Sequence, residues 1–155
     1  MLVEFALILP VLALLLFGIA EFGIAFNNLN NLRQGTREGA RQGVVATPDP
    51  DTSCPLAGVS PNTATRELMC TVKDRVGLDP SRLRVQISFP TTNAEGESML
   101  VCTHYPLESI TGMFSAILDG GVHTTEVLMR IETADEDYEA AAETPVGGTT
   151  WDSCG

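Results

Sequence analysis

MLVEFALILPVLALLLFGIAEFGIAF, residues 1–26, holds 21 apolar side chains. As a helix it rises about 39 Å at 1.5 Å per residue, more than the roughly 30 Å hydrocarbon core of a bilayer. Its longest uncharged run is Phe5 to Ala20, and Glu21 then falls inside the apolar zone. A secretory signal peptide starts with basic residues, whereas the first base here is Arg33. A plain anchor does not account for Glu4, Glu21 and Pro10. Carboxylates in lipid are costly and mark a partner, and an interior proline removes a helical hydrogen bond. Ala6, Ala13, Gly18, Ala20 and Gly23 are small enough for another helix to approach closely. These features together predict a helix that packs against copies of itself.

Beyond Phe26 the asparagines and leucines of residues 27–32 form a polar shoulder, and then Arg33, Arg37 and Arg41 recur every fourth residue on one helix face. The arginine row reads either as a solvated face or as a contact with acids of a neighbouring subunit. Gly35, Gly39 and Gly43 make a second row at the same spacing. Each costs about 1 kcal/mol of helix propensity relative to Ala, and each admits a close neighbour. The reading is one helix from Leu2 to Val45, ended at Thr47-Pro48-Asp49-Pro50, so that residues 1–47 form the first unit.

The remainder divides into a mixed segment, 48–132, and an acidic tail, 133–155. Residues 132–155 carry seven acids and no base, against a net charge of −11 for all 155 residues. That balance disfavours nucleic acid as a partner, because phosphate recognition needs a basic face. In the middle, Thr63–Val76 has apolar residues at helical spacing, with Gly77 and Pro80 after it. Residues 83–89 and 98–105 alternate as strands about a turn at Pro90 to Gly96, and 122–132 forms a third strand. Residues 107–118 suit a short helix or a loop. The expected fold class is α+β: a long apolar N-terminal helix carrying a small domain of one short helix and a three- to four-stranded antiparallel sheet.

The four cysteines, Cys54, Cys70, Cys102 and Cys154, include no C-x-x-C pair, which argues against zinc. An even count in a small exported domain favours two disulfides. Three pairings are open, and Cys54 with Cys70 plus Cys102 with Cys154 is taken as the working expectation. The acids of residues 132–137 suit calcium chemically but lack the glycine-containing loop of an EF-hand, so a solvated acidic surface is expected. No metal and no cofactor are expected. His104 and His123 are the near-neutral bases, and neither lies in a catalytic motif, so the chain is not expected to be an enzyme.

The run Val3-Glu4-Phe5-Ala6-Leu7-Ile8-Leu9-Pro10, followed by Leu14 to Ile19 and then Glu21-Phe22-Gly23, resembles the N-terminal helix of TadE-like proteins. These are pilin-like subunits of bacterial tight-adherence (type IVc) pilus systems. Arg37-Glu38-Gly39-Ala40-Arg41 resembles that family's continuation of the helix, and residues 126–132 resemble its closing strand. The resemblance implies a pilin-like fold and a subunit made with a basic leader, which a prepilin peptidase removes. The subunit waits in the cytoplasmic membrane until pilus assembly machinery moves it into an extracellular surface filament of copies of itself. Processed members carry the glutamate fifth; here it is fourth, and the sequence starts at the apolar helix, as in the processed form. The resemblance makes Glu4 the partner of a neighbour's α-amino group, which would fix axial register. The expected assembly residues are Glu4, Phe5, Pro10, Gly18, Glu21, Gly23, Arg33, Arg37 and Arg41. The expected function is a structural filament subunit, with a minor pilin or a membrane-anchored accessory protein as the alternative.

Overall fold

The computed structural model describes residues 2–45, 48, 53–133 and 137–154. Helix α1 runs from Leu2 to Val44 without interruption through Pro10. The breaker at Thr47, Asp49 and Pro50, and the acids Asp135 and Glu136, lie outside the described residues. Helix α2, Thr63–Val76, has local causes at both ends. The Asn62 side chain accepts from the Thr65 amide at its start (2.9 Å). Gly77 closes it in the left-handed conformation, at φ 65°.

The strands are β1 (Arg84–Ser88), β2 (Ser98–Pro106), β3 (Val122–Arg130) and β4 (Ala141–Ala142), in the antiparallel order β3-β2-β1-β4. The arrangement is α+β, as expected. Residues 107–121 connect β2 to β3 as a loop that contains one four-residue helix, α3 (Ser115–Leu118).

Alternation sorts the sheet into two faces. Met99, Val101 and Thr103 of β2 sit opposite Met129, Val127 and Thr125 of β3, and Val101 and Thr103 sit opposite Ile87 and Val85 of β1. This face meets the helices: the Thr36 and Thr103 hydroxyls are 2.9 Å apart, and Leu32, Ala40, Val44, Leu68, Met69 and Val72 join the same buried core. The end of β3 holds the end of α1, where the amides of Glu132 and Thr133 donate to the Val44 carbonyl (2.9 and 3.3 Å). The opposite face of β2, at Cys102 and His104, is covered by the chain's last residues. Trp151 stacks on His104 with centroids 4.0 Å apart, and Cys154 is bonded to Cys102.

The acidic segment is thus woven into the domain. Glu143, 1% exposed, accepts from the Lys73 ammonium (2.9 Å) and from the amides of Ala57 (2.7 Å) and Val85 (2.8 Å). Lys73 also donates to the carbonyls of Pro55 (2.7 Å) and Pro80 (3.0 Å). Every donor of this buried pair is aimed at an acceptor, which is what makes burying both charges tolerable. Burial nonetheless pulls the Lys73 pKa below its ordinary value, against the opposing pull of Glu143.

Candidate functional site

Helix α1 is two surfaces in one element. From about Leu32 onward its glycines lie against α2: a methyl group at Gly35 would stand 2.3 Å from Val76 Cα, at Gly39 2.7 Å from Val72 Cα, and at Gly43 2.6 Å from a Leu68 methyl. The close neighbour that the glycine row predicts is therefore the chain's own second helix. From Val3 to Ala20 every side chain is exposed except Ala13 and Gly18, which are half-buried. Val3, Leu7 and Ile19 each show more than 70% of their surface. In water that area is unfavourable at roughly 25 cal/mol per Å², so the surface calls for lipid or protein around it. The helix is long and apolar enough to cross a membrane.

The expected site residues fall in three places. Glu4, Phe5 and Pro10 lie on the exposed half, and Glu4 projects outward from the first turn. Pro10 has no amide to donate to the Ala6 carbonyl, so one helical hydrogen bond is missing at this turn. Gly23 is open, since a methyl group there would meet nothing within 4 Å, whereas a methyl group at Gly18 would stand 3.3 Å from the Phe114 ring.

Glu21 is turned into its own domain and is 3% exposed. Its carboxylate accepts from the Ser109 hydroxyl, from the Ile110 amide at 2.7 Å and from the Thr111 hydroxyl at 2.5 Å. The 107–121 loop is thereby held onto α1, and Phe114 lies against Phe22 with ring centroids 5.8 Å apart. Sequence reading did not connect the loop with Glu21. Its serine and threonine hydroxyls are local donors whose target lies 88 and 90 residues away, and no periodicity records that pairing.

The arginines are exposed along the side of α1 that flanks β3. Arg33 and Arg37 border a cleft with Thr124, Thr125 and Glu126, while Arg41 pairs with Glu38 on its own helix (2.7 Å). Cys54 is bonded to Cys70 and Cys102 to Cys154. Cys102, His104 and Cys154 lie close enough together to suggest a metal site, but both thiols are committed to the disulfide.

No curated protein and no solved structure matches the chain. A family model does, over residues 1–41, the stretch from the start of the apolar helix to Arg41. The match does not extend to residues 126–132. That family is described as TadE-like protein, and over its N-terminal helix the chain is similar to it.

Proposed function

We propose that the chain is a structural, pilin-like subunit of a Tad-type pilus, inserted in the cytoplasmic membrane through α1 and later polymerised helically into an extracellular filament. The observation that carries this reading is the division of α1, one half seated in a domain and the other a largely exposed apolar rod. A lone rod of that kind can leave lipid only if equivalent rods replace the lipid, and head-to-tail contacts of this sort form open polymers. The TadE-like match covers the same element. The role is assembly rather than catalysis. Its partners are copies of the chain, the prepilin peptidase and the pilus machinery.

Glu4 is the register residue in this proposal, because a carboxylate among packed apolar helices needs a charged or donating partner. Glu4→Ala is expected to reach the membrane in normal amount and to yield no filaments, scored by immunoblot of membranes and negative-stain microscopy of sheared surface material. Normal filaments from this variant would remove Glu4 from the assembly role. Mass spectrometry of purified fibres tests the larger reading, since a major subunit must be their main component. One feature favours a minor or accessory subunit instead. The 107–121 loop covers the face of α1 at Gly18 and Phe22, so part of the rod is closed to neighbours.

A further inference from the structure

The 107–121 loop is built inside out for a loop in water. Its hydroxyls at Ser109 and Thr111 point inward to Glu21. Its two acids are engaged at its base, where Glu108 pairs with Arg82 (2.7 Å) and Asp119 accepts from the Ser109 amide (2.8 Å). Between them run ten uncharged residues, Ser109 to Leu118, with Ile110 66%, Met113 53% and Ile117 71% exposed. Beside the loop an apolar groove of about 290 Å³ continues the surface between Phe22, Phe26, Leu29, Leu107 and Leu118.

Position explains this inversion. Glu21 lies about 29 Å along α1 from Leu2, close to the roughly 30 Å depth of a bilayer's hydrocarbon core. The loop that Glu21 holds therefore stands near the far end of the exposed apolar stretch of α1, which runs on to Phe26, and at the level of the outer headgroups of a membrane whose inner edge lies at Leu2.

We propose that residues 110–117 form a finger that enters the outer leaflet beside α1, at the boundary of headgroups and acyl chains. It fixes the depth at which the subunit rests before assembly. The occupant of this surface is lipid with zwitterionic headgroups, because the finger carries no cation to select anionic ones. Apolar side chains at this depth bind by buried area, as interfacial helices do. The inference rests on the reading of α1 as a membrane span.

Photocrosslinking of the full-length protein in phosphatidylcholine vesicles tests it. Benzoylphenylalanine is introduced singly at three exposed positions: Ile117 of the finger, Phe17 of α1 and Leu128 on the outer face of the sheet. The expected result is a lipid adduct from Ile117 in yield comparable with Phe17, and none from Leu128. A lipid adduct from Phe17 with none from Ile117 overturns the finger and leaves the membrane span standing. A protein–protein adduct from Ile117 also overturns it, by placing a second copy on this face. No lipid adduct from Phe17 removes both readings. Lipid adducts from all three positions would show that the finger is not distinguished from the rest of the surface, and would equally overturn it.

Discussion

His104 and Glu21 show how single polar residues hold distant segments. His104 is 1% exposed, stacked on Trp151, with its Nε2 3.8 Å from Cys154 Sγ. Burial lowers its pKa from the ordinary 6.5, and burial lowers that of His123 in the same direction. As pH falls through 6.5 the unfolded chain takes up these protons before the folded one. Stability is therefore lost on acidification, by at most about 1.4 kcal/mol per pH unit for each histidine. The carboxylate Asp79, lowered by the Ser81 hydroxyl and amide, has its effect around and below its ordinary 3.8, so it contributes little above pH 5. The melting temperature is expected to fall between pH 7.5 and 5.0, and to fall less in His104→Phe, as circular dichroism melts at each pH would record. Equal pH slopes in the two proteins would show that His104 is not the group responsible. Glu21 acts through geometry instead, gathering three donors from one loop onto α1.

At the scale of the element, α1 has glycines with opposite purposes. Gly35 is pressed against backbone, with Val76 Cα 2.3 Å from where its Cβ would be, and that atom cannot swing aside as a side chain can. Gly35→Ala gains about 1 kcal/mol of helix propensity but must push α2 away. A net loss of about 1–3 kcal/mol is expected from such overpacking, read as a lower midpoint in urea unfolding. Gly23→Ala meets nothing within 4 Å and is expected to leave the midpoint unchanged or raised. If both substitutions shift the midpoint alike, the close approach of α1 and α2 is not what Gly35 provides.

The whole molecule is a domain gripping the second half of a long rod, and its last segment closes the back of the sheet. The Cys102–Cys154 bond spans 52 residues and joins the central strand to the end of the chain. A loop of that length corresponds to about 4 kcal/mol in the chain-entropy account of disulfides. The paired replacement Cys102→Ser with Cys154→Ser is expected to lower stability by an amount of that order. It should also expose Trp151, seen as a red shift and stronger acrylamide quenching of its fluorescence, because the Trp151 side chain is then held by its His104 stack and its 2.9 Å bond to the Glu143 carbonyl without the covalent tie beside it. Unchanged Trp151 emission would mean that the covering segment is held without the bond.

The long helix, α2 and three strands were legible because each repeats an apolar pattern over many residues, at 3.6 or at 2. The two-residue strand Ala141–Ala142 carries no such period, and Glu143 beside it reads as one more surface acid. Its place in the core depends on Lys73, 70 residues away. Likewise the spacing of Cys54, Cys70, Cys102 and Cys154 admits three pairings, and only the meeting of β2 with the chain's last residues chooses one. By itself the sequence determined the apolar rod, its length and its likeness to the TadE-like helix, because those properties are carried by consecutive residues. Tertiary structure decided which half of the rod the domain covers, where Glu21 points and which side chains the 107–121 loop presents. Those outcomes depend on contacts between residues far apart in the chain, and no local pattern encodes them.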